Sequence, residues 1–209
     1  MLTAISATST TRRTGRASLG AGGYSLLELT AVVAISMILA AISIPYFIGI
    51  YHQLRLKSAC DDISGFMQRA RLQAAKQNAT YTIGYRSSGS VEQVYLDLNL
   101  NGQWDAGEPL LAFYSTLIPA STPPTGTGGT PTPYVLLGDT SGVVYNNSTT
   151  LGYSPRGLPC AYTAGVCATP AGGYFVYYFE DQLGPLWGAV IVTRTGRTKT
   201  AVWNGTAWN

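Results

Sequence analysis

Hydrophobic and polar positions along this chain follow three patterns in turn. Residues 29–50 carry no charge. The run is long enough to cross the roughly 30 Å hydrocarbon core of a bilayer as a helix, for which about 20 apolar residues suffice. Next, Leu56, Cys60, Ile63, Met67, Ala70 and Ala74 recur at spacings of three and four, while Lys57, Asp61, Ser64, Gln68 and Arg71 take the other side. That period predicts an amphipathic continuation of the same helix to about Gln77. Pro45 interrupts the run and predicts a kink or one opened hydrogen bond. After Asn78 the pattern becomes that of strands. Segments 80–85, 91–98, 109–115, 142–146, 173–180, 187–194 and 199–204 are rich in β-branched and aromatic residues, with Gly, Asn and Ser between them. Segment 121–133, STPPTGTGGTPTP, is of low complexity and reads as a mobile loop. A helix followed by antiparallel strands is an α+β fold.

One acid breaks the apolar pattern. Glu28 stands at the start of the run, where an uncompensated carboxylate costs roughly 2.5–3.5 kcal/mol at the membrane centre and less near its edge. The residues before it are polar and carry Arg12, Arg13 and Arg16 with no acid. A secretory signal would put small residues after the apolar segment. Here Gly22 and Gly23 precede it. Cutting after Gly23 leaves the helix on the mature chain, with the Tyr24 amine about one helical turn from Glu28 in sequence. Positive charge on the leader holds that end in the cytoplasm and sends the remainder outside.

Gly23-Tyr24-Ser25-Leu26-Leu27-Glu28-Leu29, followed by an apolar helix containing Pro45, resembles the class III signal of type IV pilins and type II secretion pseudopilins. In that family a prepilin peptidase cuts after the glycine and N-methylates the new first residue. The glutamate neutralises the terminal amine of a neighbouring subunit during docking into the filament. Carried over, the resemblance gives cleavage and methylation to Gly23 and Tyr24 and assembly to Glu28. It implies a pilin-like fold with three parts: a cleaved leader at 1–23, a membrane and filament-core helix at 24–50, and a globular domain at 51–209. The partners it implies are other pilin or pseudopilin subunits, the peptidase and an inner-membrane assembly platform. The implied location is the bacterial inner membrane, single-pass with the C-terminal domain periplasmic, and then the filament. Three weaker stretches, FMQRARLQAAKQNATYTI, YSPRGL (153–158) and AVIVTRTGRTK (189–199), are similar to the GspH/FimT-like minor pilins. An ordinary single-pass anchor with an incidental acid is the alternative reading of the run.

Charge and cysteine content narrow the classes further. Removing the leader takes Lys+Arg from 13 to 10 against 10 Asp+Glu, so bulk attraction to nucleic acid is not expected. Cys160 and Cys167 bracket a short loop, and a local disulfide there is feasible outside the cytoplasm. Cys60 lies on the apolar stripe and reads as a buried, inert thiol. His52 is the one histidine, which excludes a Ser/His/Asp set, and no phosphate cradle is present in the sequence. The adjacent Asp61 and Asp62 point to different helix faces. The chain reads as no enzyme and requires no cofactor.

Two motifs carry binding chemistry. Asp97, Asn99, Asn101, Gln103, Asp105 and Glu108, with Gly102 at the turn, satisfy the twelve-position calcium-loop spacing. Strands rather than helices flank this loop, and Asx-rich hairpin turns have the same look, so a metal-free turn is the competing reading. Arg194, Arg197 and Lys199 cluster near the C-terminus, followed by Trp203 and Trp208. Gly196-Arg197-Thr198-Lys199 resembles the GRxR motif of FimT-like pilins that take part in DNA uptake. Cations flanking a glycine turn suit phosphates and aromatic rings suit bases. A solvated turn between the last two strands is the plainer reading. The function expected is a structural minor pilin or pseudopilin subunit of a type IV pilus or type II secretion filament. The alternatives are a DNA receptor at a pilus tip and a plain membrane-anchored surface domain.

Overall fold

The computed structural model describes residues 25–114, 116–120, 143–145, 149–168, 173–183, 186–203, 205, 207 and 208. The leader, with Gly23 and Tyr24, and the 121–133 segment lie outside them. The apolar run and the amphipathic stretch form one helix, α1, Leu26–Gln77, which continues through Pro45. By contacts the chain divides into two units, Met1–Ile44 and Pro45–Asn209.

Local chemistry sets both ends of α1. The Ser25 hydroxyl accepts the Glu28 N–H at 3.1 Å, an N-cap with its partner acid in the first turn. At the other end Asn78 takes φ +51°, and the Ala79 N–H reaches Ala74 O at 3.1 Å, closing the last turn. Within the apolar half the hydroxyls of Thr30, Ser36 and Ser43 donate to carbonyls of the preceding turn. These hydroxyls therefore have their donors satisfied within the helix itself. In the first unit the side chains of residues 26–44 are exposed throughout. α1 is long and apolar enough, by length and composition, to cross a membrane.

In the second unit α1 buries Leu56, Ala59, Cys60, Ile63, Met67, Ala70 and Ala74, the stripe expected from the spacing with Ala59 added. Eleven strands follow among the described residues. The first sheet is ordered β3-β2-β1-β6-β7-β8, with β1 Tyr81–Ser88, β2 Val91–Asp97, β3 Leu110–Ala112, β6 Leu151–Tyr153, β7 Pro159–Thr163 and β8 Val166–Ala168. The second is ordered β11-β10-β9-β4, with β4 Leu117–Ala120, β9 Gly173–Asp181, β10 Leu186–Thr193 and β11 Thr198–Trp203. The pairs within these two orders are antiparallel, as the α+β expectation has it, while β5, Val143–Tyr145, pairs parallel with β9. The stretch 109–115 is not one strand. β3 ends at Ala112, with the Phe113 N–H still bonded to Glu92 O of β2, and a turn closed by the Leu117 N–H on Tyr114 O leads into β4.

The main core lies between α1 and both sheets and includes Ile83, Val94, Leu96, Tyr153, Phe175, Tyr177, Phe179, Val190 and Val192. β9 is buried on both faces. Tyr174, Val176 and Tyr178 join Ala189, Ile191, Ala201 and Trp208 in a second cluster. Cys160 and Cys167 are disulfide-bonded across the β7–β8 hairpin, with Cα atoms 5.3 Å apart.

Gly188 of β10 lies so close to α1 that a Cβ there would collide with Cys60 Sγ and approach Leu56 Cδ1 to 3.1 Å. Gly188→Ala is therefore expected to lower stability by about 1–3 kcal/mol through overpacking. The loss should shrink when the same change is made in Cys60→Ala. Thermal denaturation of the four variants checks this, and an equal loss on both backgrounds would refute the contact.

Burial, with the Asp61 charge adding to it, pushes the Cys60 thiol up to about 12 from 9.0. The unfolded thiol ionises from pH 9.0 while the folded one keeps its proton, so the folded state holds more protons and loses stability as the pH rises from 9 to 12. The Tyr85 and Tyr177 phenols are also raised by burial and join from pH 10 upward. Urea midpoints should fall between pH 9 and 10 in the wild type and fall less in Cys60→Ala.

Candidate functional site

Three places in the chain gather polar chemistry. The first is the start of α1. Glu28 is exposed, in the first turn, and its backbone N–H is capped by Ser25. Gly23 and Tyr24, its expected partners in processing, lie outside the described residues.

The second is the 97–108 loop after β2. Asp97 is 2% exposed; its Oδ1 accepts the Leu100 N–H at 2.6 Å and its Oδ2 the Gly102 N–H at 2.7 Å. Asn99 and Asn101 each accept a backbone N–H two residues on, from Asn101 and Gln103. Asp105 Oδ2 accepts both Asn99 Nδ2 and Asn101 Nδ2 at 2.7 Å. Glu108 closes the loop by accepting Leu98 N–H at 2.7 Å and Asp105 N–H at 2.9 Å. So the structure does bring the six residues of the calcium spacing into one loop. An all-oxygen set is the chemistry a hard cation takes. Here these oxygens are engaged by the loop's own N–H donors, which is Asx-turn chemistry. Among the described residues no group of three or more His, Cys, Asp or Glu is placed to hold a metal ion.

The third place centres on Arg71, which the sequence put on the polar side of the helix and within the FMQRARLQAAKQNATYTI stretch. Ser64, Gln68 and Arg71 are half-buried rather than solvated. Arg71 Nε donates to Gly157 O at 3.0 Å and Nη1 to Gly196 O at 3.1 Å. Gln68 Nε2 donates to Gly196 O at 2.9 Å and to Thr198 Oγ1 at 3.1 Å, and the Ser64 hydroxyl meets Thr198 Oγ1 at 2.6 Å. The three weak motifs of the sequence, ARLQA in the helix, YSPRGL between β6 and β7, and TGRTK between β10 and β11, therefore meet at one guanidinium. Their polar spacing carried the signal, but only the fold shows that they touch.

The cations of the C-terminal motif lie at the β10–β11 turn and on β11. Arg194 and Arg197 are exposed in the β10–β11 turn, and Lys199 is exposed on β11 opposite Ile191. The aromatic part of that motif is corrected. Trp208 is 8% exposed and packed on Tyr178 and Trp203, with ring centroids 6.1 and 5.7 Å away, so its ring belongs to the second core cluster and offers no face to a base.

A further pair escaped the sequence. His52 Nδ1 lies 3.3 Å from Asp181 Oδ2, and Asp181 Oδ1 accepts the Leu183 N–H at 3.2 Å. This pair ties α1 to the end of β9, and Arg55 lies over Tyr114 one turn along. A hollow of about 380 Å³ lies between α1 and the β2–β3 edge and is lined by Asp61, Asp62, Phe66, Arg69, Leu96 and Leu111.

No family model matches the chain, and no curated protein or solved structure matches it.

The hydrogen bonds of the 97–108 loop generate a direct expectation. Glu108→Ala strands the N–H groups of Leu98 and Asp105, and is expected to destabilise by about 1–3 kcal/mol even in excess chelator. Melting curves with and without chelator check it. A loss that appears only when calcium is added would assign Glu108 to a metal instead.

Proposed function

We propose that this chain is a structural subunit of a type IV filament-like machine, a minor pilin or pseudopilin anchored in the inner membrane with its sheet domain on the periplasmic side. The observation that carries the reading is the first half of α1. Its side chains are exposed and apolar over residues 26–44, apart from the few satisfied hydroxyls, and the one acid among them is Glu28 in the first turn. An exposed apolar helix requires a nonpolar environment, and lipid or the packed helices of a filament supplies it. In this reading Glu28, the fifth residue of a chain that begins at Tyr24, neutralises the terminal amine of a neighbouring subunit. Prepilin peptidase, other pilin subunits and an assembly platform are the partners this reading requires. It assigns the chain no catalysis.

A second reading, contact with DNA, is favoured by the exposed Arg194 and Arg197 in the β10–β11 turn. Exposed arginines neutralise phosphates without sequence preference.

The test of the first reading is processing. Co-expressed with a prepilin peptidase, the chain should yield a mature protein whose first residue is N-methylated Tyr24 by mass spectrometry. Gly23→Leu should remain uncut. Glu28→Gln keeps a hydrogen-bonding side chain at the helix start but loses the charge; it should be cleaved normally and fail to enter filaments. Protein that retains Met1 in the presence of the peptidase would overturn the reading and leave a plain membrane anchor, and filaments that accept Glu28→Gln as well as wild type would overturn the role given to Glu28.

A further inference from the structure

We propose that the end of the sheet domain where α1 enters it is a seat for anionic phospholipid headgroups, in which Arg55 holds lipid phosphate while Tyr51, Leu54, Tyr114 and Leu183 rest at the headgroup level. This rests on the membrane-anchored reading above and adds to it a second contact with the same bilayer, made by turns of the sheets.

Three segments of the second unit build this surface. α1 brings Tyr51, Leu54 and Arg55, within about one and a half turns of Ile50, where the uncharged run ends. The turn between β3 and β4 brings Tyr114, and the turn after β9 brings Leu183. Short contacts tie the segments together. The Arg55 guanidinium carbon lies 4.5 Å from the centroid of the Tyr114 ring and 5.5 Å from that of Tyr51. The Asp181 carboxylate spans the other gap, with Oδ2 3.3 Å from His52 Nδ1 and Oδ1 accepting the Leu183 N–H at 3.2 Å. The Gln182 N–H also bonds Thr116 O at 2.9 Å, which joins the two turns to each other.

The side chains left outside are large and apolar or aromatic. Tyr51 is 59% exposed, Leu54 60%, Tyr114 45% and Leu183 61%. Gathered at one end of a domain, such side chains mark an interaction surface. Tyrosine suits the headgroup level, where its ring meets acyl chain and its hydroxyl meets water.

Charge selects the lipid. Residues 29–60 contain no Asp or Glu, and Arg55 and Lys57 are the Lys and Arg residues among them. Among the described residues Arg55 forms no ion pair. Asp181 lines the same small hollow as Arg55 and Tyr114, but it is 5% exposed and engaged by His52 and Leu183, so it presents little charge at the surface. An arginine fork matches phosphate oxygens in pairs. A bilayer is favoured over a second copy of the chain because the surface begins where the uncharged run of α1 ends.

The experiment uses the full-length chain reconstituted in vesicles of phosphatidylcholine or phosphatidylglycerol, an environment-sensitive fluorophore on one introduced cysteine, and nitroxide lipids as quenchers. Cys60 is buried and Cys160 is bonded to Cys167, so the introduced thiol is the one that labels. The reporters are Gln182→Cys beside Leu183, Thr195→Cys in the turn that Arg71 holds, roughly 28 Å further along α1 than His52, and Leu39→Cys in the apolar run. A headgroup-level nitroxide should quench the label at 182 and spare the label at 195. Arg55→Gln should lower the ratio of seated to free domains about fivefold in phosphatidylglycerol and less in phosphatidylcholine, since one cation at an anionic surface contributes about that factor. Arg55→Lys, which keeps the charge, should lower it less than Arg55→Gln does. Leu183→Asp, at an exposed position, should release the label in both lipids. If Arg55→Gln does not fold, Leu183→Asp decides. A label at 39 quenched by tail nitroxides, with none of the quenching at 182, would overturn this inference and spare the membrane reading. No quenching at 39 would overturn both. Quenching at 182 that neither Arg55→Gln nor Leu183→Asp reduces would overturn the seat, and so would a label at 182 that is shielded only at high protein-to-lipid ratio, which would assign the face to a second copy.

Discussion

Where α1 passes β10, Gly188 lies against Cys60 and Leu56 with no room for a Cβ, and that contact sets how closely the helix and the second sheet can pack. The helix contributes small side chains along much of its buried stripe: Ala59, Cys60, Ala70 and Ala74. The sheets answer with large ones, Tyr153, Phe175, Tyr177 and Phe179, all almost fully buried. Small opposite large lets both sheets share one helix at interior packing density. The same closeness leaves the Cys60 thiol without water, which is why its ionisation is driven upward.

Close packing makes any buried polar group costly unless it is bonded. The half-buried flank of α1 meets this demand by giving its donors to the turns of the sheets. Ser64, Gln68 and Arg71 together bond Thr198, Gly196 and Gly157. At the entry to the domain His52 meets Asp181. The outer face of the first sheet solves the same problem with loop amides. Asp97, almost wholly buried, finds its partners among the N–H groups of residues 100 and 102. Ordered turns are therefore a by-product of burying the helix, and side chains on those turns acquire fixed places on the surface.

The first half of α1 has no such solution within the described residues. Its hydroxyls are satisfied by its own carbonyls, and its apolar side chains stay exposed. Two different environments are thus built into one helix. One is supplied by the chain's own sheets; the other, in the proposed reading, is lipid or other helices. The proposed role as a filament subunit follows from that division.

Sequence alone determined α1 from start to finish, its buried stripe, and the long strands β1, β2, β9, β10 and β11. These depend on periodicity and β-propensity over many residues, and such signals add along the chain. It missed β4, β6, β7 and β8. They are three to five residues long, with Pro119 inside β4, Gly152 inside β6 and Pro159 opening β7. Their strand character comes from hydrogen bonds to neighbours, and no local pattern records those. The parallel seat of β5 on β9 is also decided by the fold, because pairing direction is a relation between distant segments. At the sites, residue types and spacing marked the 97–108 loop and the basic turn. Only tertiary structure turned Trp208 into core and put Arg71 between two glycine carbonyls, since burial and long-range bonding are settled by what the rest of the chain places alongside.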